Sequence, residues 1–274
     1  RKLGNECVID RVQDVHVLTR GTGAYVFRSW GAAGTLAGPS AAYYSLCLDP
    51  AGARRKATDV TPTHTFAICA YGKSPYLRDC IESIKAQTYR ESEVYLSTAT
   101  PSSWLSHLAE EYDLPIYVNE GAHGIGEDWN FAYSKATGAF VTIAHQDDVY
   151  EAEYATTAVR MLEASRLPLI FFTNYGELRD GVPVDDNRLL RIKRRLLKPF
   201  LDPRAFGSVK ARRRMLRMGS AICCPSVTLC RRNVPNPPFV TGMRSNLDWA
   251  TWERLSRLPG EFIYAPQILM RHRI

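Results

Sequence analysis

Residues 140–150 read FVTIAHQDDVY, in which a run of apolar and β-branched residues leads directly into His145, Gln146, Asp147 and Asp148. The run is typical of a buried strand. Two carboxylates at the end of such a strand lose hydration, which costs free energy unless they are hydrogen-bonded or bind a cation. We therefore interpret the end of this strand as a candidate binding site.

Strand and helix patterns alternate on both sides of this stretch. The predicted strands are 64–71, 93–98, 114–120, 139–145 and 167–173. The predicted helices are one that opens at Ser74-Pro75 and those at 102–112, 127–136 and 151–164. Alternation of this kind predicts an α/β fold, with a mostly parallel sheet and helices on both faces. Ligands bind at the carboxyl ends of such strands, which is where His145–Asp148 lie.

The two ends of the chain follow other patterns. Residues 31–55 are rich in Gly, Ala and Ser, so we expect residues 1–60 to form a poorly ordered N-terminal extension and residues 61–274 to form the main domain. After residue 173 we predict an amphipathic helix at 188–198 and a strand or turn at 219–230. A second amphipathic helix at 247–258 precedes a closing strand.

Several protein classes are disfavoured by composition and motifs. The apolar runs are shorter than the roughly 20 residues of a membrane span, and no signal peptide is evident. The seven cysteines include no C-x-x-C pair, which favours reduced cysteines over zinc or disulfides. Neither a P-loop nor a G-x-S-x-G elbow is present. The glycine-rich stretch 121–126 is not a dinucleotide fingerprint, and we interpret it as a flexible turn.

Positive charge is concentrated in residues 188–217. This segment has twelve Lys or Arg and one acid, Asp202, so its net charge is +11, whereas the whole chain carries +7. A basic segment without a recognisable nucleic-acid-binding motif does not predict nucleic-acid binding. Three interpretations stay open: a solvated helix face, a surface for anionic phospholipid, or a contact with the diphosphate of a ligand.

Asp147 and Asp148 also have two interpretations. Paired carboxylates at a strand end suit Mg²⁺ or Mn²⁺, which prefer oxygen ligands. His145 lies two residues before Asp147 and would face the same side of an extended chain. The alternative is that one of the two aspartates caps a helix beginning near Glu151.

Three segments, in order, resemble the signatures of family 2 glycosyltransferases. Residues 66–89, FAICAYGKSPYLRDCIESIKAQTY, resemble the first strand, loop and helix of that family. Residues 128–150, DWNFAYSKATGAFVTIAHQDDVY, resemble its Asn-bearing helix and the D-x-D-D strand. Residues 245–273, SNLDWATWERLSRLPGEFIYAPQILMRHR, resemble its closing segment. The resemblance covers about residues 63–274.

This resemblance implies a GT-A fold, with a Rossmann-like nucleotide-binding half and an acceptor-side half. It implies an inverting glycosyltransferase that moves a sugar from a nucleotide-sugar donor to a hydroxyl of a glycan or polyprenyl-linked acceptor. A divalent ion, Mn²⁺ or Mg²⁺, would be the cofactor. We expect a cytoplasmic protein, and if residues 188–217 are a lipid surface, it would be peripheral at the inner face of the plasma membrane.

The resemblance also implies roles for individual residues. Asp147 corresponds to the metal-binding aspartate, and Asp148 follows it. Asp248 corresponds to the catalytic base, although it could instead cap the helix that begins beside it. The residues expected to bind the nucleotide-sugar are Ala70, Tyr71, Ser97, Thr98, Asp128, Asn130, His145 and Gln146. Tyr71 could stack on the nucleobase or be a buried aromatic residue without ligand contact.

Four residues depart from the family pattern. Ser97 and Thr98 replace the acids expected after the second strand, one of which would recognise uracil. The sequence therefore does not predict which nucleobase the donor carries. His145 replaces the first aspartate of D-x-D, and Trp129 stands where an arginine is usual. Two rival functions remain: a sugar-phosphate nucleotidyltransferase, and a non-catalytic nucleotide- or glycan-binding module with the same fold.

Overall fold

The computed structural model describes residues 8–12, 15–20, 23–28 and 63–274. The chain divides into two units, residues 1–59 and 60–274. In the first unit, strands β1 (Val8–Val12), β2 (Val15–Arg20) and β3 (Gly23–Arg28) form an antiparallel sheet. The Gly-, Ala- and Ser-rich stretch at 31–55 lies outside the described residues.

The second unit contains a nine-stranded sheet and seven α-helices. Its strands are β4 (His64–Ala70), β5 (Ser92–Thr98), β6 (Ile116–Val118), β7 (Phe140–His145), β8 (Val149–Tyr150), β9 (Pro168–Arg179), β10 (Val182–Val184), β11 (Val227–Cys230) and β12 (Glu261–Arg273). Its helices are α1 (Leu77–Lys85), α2 (Ser103–Tyr112), α3 (Ile125–Lys135), α4 (Tyr154–Glu163), α5 (Arg188–Leu197), α6 (Val209–Leu216) and α7 (Leu247–Leu255).

Most strands of the sheet run in one direction. The order is β6-β5-β4-β7-β11-β9-β12-β8, with β10 paired to β9. Strands β4 to β7 are mutually parallel. Because β11 is antiparallel to both β7 and β9, those two strands share a direction, and β12 is parallel to β9. Only β8, β10 and β11 run the opposite way, so the predicted α/β class with a mostly parallel sheet is confirmed.

The central strands of the first half of the sheet, β4 and β7, are apolar on both faces. Five consecutive residues of β4 are buried, as expected for a strand covered by helices on both sides. Helix α1 buries Leu77, Cys80, Ile81 and Ile84, which have the helical spacing seen in the sequence. The Ser102 hydroxyl accepts a 3.2 Å hydrogen bond from the Leu105 amide and so caps α2.

The second half differs more from the sequence prediction. Strands β9 and β12 have 12 and 13 residues and pair in parallel along most of their length. Helix α5 buries Leu190 and Leu197, whereas Leu189 and Ile192 are 52% and 44% exposed. None of the helices in the described part of the chain combines the length and the apolar character needed to cross a bilayer.

The glycine-rich stretch 121–126 is not simply a flexible turn. Helix α3 begins at Ile125, so Gly126 lies within its first turn. A Cβ atom at Gly126 would lie only 2.2 Å from the Val240 carbonyl oxygen, which shows how closely the two backbones approach. The end of the stretch is therefore held in place by packing, and it fixes one side of the cavity described next.

Candidate active site

The strand register brings three strand ends together at one edge of the sheet. Cys69 pairs with His145, and Ala70 pairs with Thr98, so β4, β5 and β7 end at the same level. A cavity of about 750 Å³ opens at this edge. This volume lies within the roughly 300–1,000 Å³ of small-molecule sites.

Eight of the predicted site residues line this cavity. They are Ala70, Tyr71, Ser97, Thr98, Asp128, His145, Gln146 and Asp147. His123, Gly124 and Ile125 line it as well, so the glycine-rich loop forms part of its wall. Asn130, Asp148 and Asp248 are not among the lining residues.

Gln146 fixes the loop that follows β4. Its side-chain carbonyl accepts a 2.9 Å hydrogen bond from the Tyr71 amide, and its side-chain amide donates to the Tyr71 carbonyl at 3.1 Å. The next amide, of Gly72, donates to the Thr100 hydroxyl at 2.7 Å. The Tyr71 ring is left 70% exposed, so it is not a buried aromatic residue. The backbone is thus held while the ring remains free to meet a ligand.

Asp128 is oriented by Asn119, a residue that the sequence reasoning missed. The Asn119 side-chain amide donates to the Asp128 carboxylate at 2.7 Å and to the Ala122 carbonyl at 3.1 Å. Asn119 directly follows β6 and is buried, and a buried amide at a strand end was the available signal. Asn130, two residues after Asp128 and about half a turn around α3, instead exchanges two hydrogen bonds with the Phe239 backbone.

His145 is packed against Trp129. Their ring centroids are 4.9 Å apart and their planes are inclined by 24°, which is a stacked arrangement. Burial lowers the pKa of His145, and the charges of Asp148 and Asp147 oppose that shift. His145 and Trp129, two of the departures from the family pattern, therefore form one unit, a largely neutral imidazole supported by an indole face.

The adjacent aspartates have different environments. Asp148 is fully buried, and its Oδ1 accepts hydrogen bonds from His272 Nδ1 at 2.8 Å and from the Arg273 amide at 3.0 Å. Helix α4 begins at Tyr154 and follows Glu153, so neither Asp147 nor Asp148 caps it. Asp147 is half-buried and lines the cavity, and no other described side chain or amide donates to its carboxylate.

The last strand supplies the contacts that hold this turn, and these residues were not assigned from the sequence. Arg273 Nε donates to the Asp147 carbonyl at 2.9 Å, and its Nη2 donates to Asp79 at 2.8 Å. The hydrogen bond to Asp148 raises the pKa of His272, against the opposing effect of burial. The sequence RHR at 271–273 was the visible signal, because charged residues at the end of a buried strand need partners.

Asp248 lies in the first turn of α7, and Asn246 occupies the cap position, so the capping interpretation of Asp248 is wrong. Burial raises the pKa of Asp248, while a hydrogen bond from the Trp249 amide and the charge of Lys193 partly oppose the shift. The negative charge of Asp248 in turn raises the pKa of His145. The carboxylate therefore lies within electrostatic range of the cavity without forming its wall.

The residues present fit a divalent ion that is shared with a ligand. Among the described residues no group of three His, Cys, Asp or Glu side chains forms a complete metal site. However, Mg²⁺ is usually held by one or two carboxylates together with substrate phosphates. Asp147 offers a free carboxylate, and the buried Oδ2 of Asp148 has no hydrogen-bond partner. This donor set suits an ion that also binds phosphate oxygens.

Comparison with known proteins agrees with this geometry. Residues 65–234, more than half of the chain, match the family described as glycosyl transferase family 2. The chain belongs to this family. The resemblance stated from the sequence is thereby confirmed.

Solved structures show that this family 2 chain has the GT-A fold. TarS 1–349 of S. aureus superposes with a TM-score of 0.56 at 14% identity, over 77% of this chain and 60% of that one. The complex of the same protein with UDP-GlcNAc gives 0.55 at 14% identity, over 77% and 58%. The mannosyltransferase PcManGT of Pyrobaculum calidifontis, in complex with GDP-Man and Mn²⁺, gives 0.53 at 14% identity, over 78% and 57%.

Two curated relatives match a shorter part of the chain. The putative glycosyltransferase EpsH of Bacillus subtilis (strain 168) is 25% identical over 104 residues, which are 36% of this chain and 30% of EpsH. The glycosyltransferase GlyA of Streptococcus pneumoniae serotype 4 is 26% identical over 102 residues, 36% of this chain and 15% of GlyA. The match thus spans less than a third of either relative.

The two aspartates of this family 2 chain should differ in their effect on stability. Asp148→Ala removes the buried acceptor of two partly buried donors, so we expect the free energy of unfolding to fall by about 2 kcal/mol. Asp147→Ala removes a half-exposed carboxylate without a donor, so its change should stay below about 1 kcal/mol. Urea denaturation followed by circular dichroism measures both. Equal losses in the two variants would show that the Asp148 hydrogen bonds do not hold this turn.

Proposed function

We propose that this chain is an inverting glycosyltransferase that moves a sugar from a nucleotide-sugar donor to an acceptor hydroxyl with the help of a divalent ion. The observation that carries the proposal is the cavity at the strand ends of a family 2 chain, with the Asp147 carboxylate in its wall and Asp248 within electrostatic range of His145. The donor binds in the cavity, and the acceptor approaches from the side of α7.

Donor binding rests on the cavity wall and on what similar proteins bind. Tyr71 presents an exposed ring beside Ala70, which suits stacking on a nucleobase. Ser97 and Thr98 offer hydroxyls to the base or ribose, and Asp128 is oriented by Asn119. The similar TarS structure contains UDP-GlcNAc, and that of PcManGT contains GDP-Man. Neutral hydroxyls at 97 and 98 do not select between uracil and guanine.

Asp147 and Asp148 are the residues that would hold Mn²⁺ or Mg²⁺. When bound, such an ion neutralises charge on a diphosphate leaving group. His145 would donate to or accept from the donor with its Nε2, which is buried and has no protein partner. Gln146 has a positioning role, because both ends of its amide are used in holding the Tyr71 backbone.

Asp248 is proposed as the general base. A base must be unprotonated to accept the proton of the attacking hydroxyl, and it is most effective when its pKa is not far below the working pH. Burial raises the pKa of Asp248 in that direction. Attack by the activated hydroxyl on the anomeric carbon, from the face opposite the leaving diphosphate, inverts the configuration.

Removing the proposed ion ligand should uncouple nucleotide binding from the metal. We expect Asp147→Ala to weaken Mn²⁺-dependent binding of UDP or GDP at least tenfold, to the affinity seen with EDTA, because it removes the open carboxylate that would hold the ion. Isothermal titration calorimetry with each nucleotide measures this. The matched control is Asp186→Ala, an exposed carboxylate whose nearest cation is Arg191, 3.7 Å away. Unchanged Mn²⁺ enhancement in Asp147→Ala would contradict the assignment.

Removing the proposed base should affect turnover and not donor binding. We expect Asp248→Asn to reduce kcat by about 10²–10⁴-fold, the usual contribution of a general base, with unchanged affinity for the nucleotide. The pKa of Asp248 is raised above the ordinary aspartate value of about 4. As the pH is lowered, Asp248 becomes protonated and the wild-type rate should fall, with a midpoint above about pH 4. The variant should lack that limb. A variant that transfers sugar at the wild-type rate would remove Asp248 from the mechanism.

We further propose that the acceptor is a glycan or polyprenyl-linked glycan, reached at the cytoplasmic face of a membrane. Support comes from α5, where Leu189 and Ile192 are exposed among arginines. A basic helix with exposed aliphatic residues is typical of an anionic lipid interface. Family membership does not favour a nucleotidyltransferase, and hydrolysis or transfer of a donor would exclude a non-catalytic module.

The lipid contact should depend on the two exposed aliphatic residues of α5. We expect Leu189→Ser/Ile192→Ser to lower binding to phosphatidylglycerol vesicles at least tenfold, since burying each side chain contributes about 1.5–3 kcal/mol. Co-sedimentation measures the partitioning. Val182→Ser is the control, because Val182 is 61% exposed and lies on β10, outside the basic segment. Binding that is equally strong in the double variant, or absent in the wild type, would refute the lipid interface.

A further inference from the structure

A second large concavity lies between α6 and α7. It has a volume of about 1110 Å³, and its walls are the exposed side of α6, the segment before α7 and one face of α7. We call it the α6–α7 groove. None of its lining residues lines the cavity at the strand ends.

One wall of the α6–α7 groove carries positive charge. Lys210, Arg213, Arg214 and Arg217 line it, against a single acid, Glu253. Arg213 lies 4.0 Å from Glu253, and the other three have no acidic partner within 4.0 Å among the described residues. Lys210, Arg213 and Arg214 are on the exposed face of α6, and the exposed Arg217 directly follows the helix. The neighbouring Arg212 is instead buried and donates to the Gly260 and Leu258 carbonyls. The charge of this wall is therefore available to a ligand.

Apart from Asn246, the rest of the α6–α7 groove is apolar. Leu216, Met243, Trp249 and Ala250 line it, and the Met243 side chain is 41% exposed. Trp249 Nε1 donates to the Leu216 carbonyl at 2.8 Å, which ties the end of α6 to the start of α7. The indole is thus held in a fixed orientation, with part of its ring in the groove. A ligand that matches both walls has an anionic group and an apolar portion.

The position of the α6–α7 groove connects it to the proposed base. Trp249 follows Asp248 directly in the chain, and Asn246 precedes it by two residues, so the groove begins at the turn that carries Asp248. Asp248 itself is half-buried and does not line the groove, so an acceptor anchored there would extend past the N-terminal end of α7 to reach it.

We propose that the α6–α7 groove binds the phosphate or diphosphate group of an amphiphilic acceptor, with its apolar chain against Trp249 and Met243. This inference rests on the proposed function, because it names the acceptor class of the same site. Several Lys and Arg donors around one anion make charge-assisted hydrogen bonds, which are about twice as strong as neutral ones. The concave shape favours one ligand molecule over a flat bilayer surface.

Calorimetry of the full chain with three probes tests the inference. The probes are farnesyl diphosphate, farnesol and inorganic diphosphate, with UDP, GDP and Mn²⁺ present in excess so that the cavity at the strand ends is blocked. We expect farnesyl diphosphate to bind more tightly than either of the other two, since only it matches both walls. Arg214→Gln/Arg217→Gln should weaken its binding at least tenfold. Both arginines are exposed, so the fold should be retained.

The matched control is Arg160→Gln/Arg166→Gln, which removes two exposed charges from outside the groove and should change affinity less than twofold. Equal weakening by both double variants would reduce the effect to net charge and overturn the inference. Farnesol that binds as well as farnesyl diphosphate would overturn it too. If the groove variant lost only its binding to phosphatidylglycerol vesicles, the cations would contact a bilayer instead of an acceptor.

Failure of this inference can be distinguished from failure of the proposed function. Asp147→Ala should keep farnesyl diphosphate binding, because Asp147 lies in the other cavity. Donor hydrolysis without groove binding would leave the glycosyltransferase proposal intact and remove the acceptor class. Groove binding without donor binding or hydrolysis would contradict the glycosyltransferase proposal and leave the groove as a binding site for anionic amphiphiles.

Discussion

The buried carboxylate of Asp148 is the contact on which the geometry of the site depends. It lies in the turn after β7 and accepts hydrogen bonds from His272 and from the Arg273 amide at the end of β12. A buried charge without such partners would cost several kcal/mol, so the turn and the last strand have to be placed together. β8 then pairs with β12 through Met270 and Tyr150, which closes the sheet at this edge. Asp148 thereby leaves its neighbour Asp147 directed to the cavity.

The cavity follows from strand register combined with a few side-chain clamps. Parallel pairing sets the ends of β4, β5 and β7 at one level, but the connecting loops would be mobile without further contacts. Gln146 holds the Tyr71 backbone, Asn119 holds Asp128, and the close approach of Gly126 to Val240 fixes the third loop. Each clamp uses a polar or small residue at a strand end or helix start. The loops are thus held in place before any ligand binds, which lowers the entropic cost of binding.

Features formed by residues close together in the sequence were predicted, and features formed by residues far apart in the sequence were not. The strands β4, β5 and β7 and the buried face of α1 were predicted, because apolar periodicity reports local burial. The buried face of α5 was harder to predict, because its aliphatic residues are spread over more than one face of the helix. Packing against other elements decides that Leu190 and Leu197 are buried while Leu189 and Ile192 are exposed. The direction of β11 was not predictable either, since it depends on pairing with strands far away in the sequence.

By itself, the sequence determined the α/β class, the family resemblance and the position of the acids at the end of a strand. These features are written in short segments, where composition and spacing are enough. The tertiary structure alone decided that Asp148 is buried against His272, that Trp129 stacks on His145, and that α6 and α7 enclose a basic groove. Each of these joins residues that are distant in the chain or on separate elements. Their contact depends on how complete helices and strands pack, which no local pattern encodes.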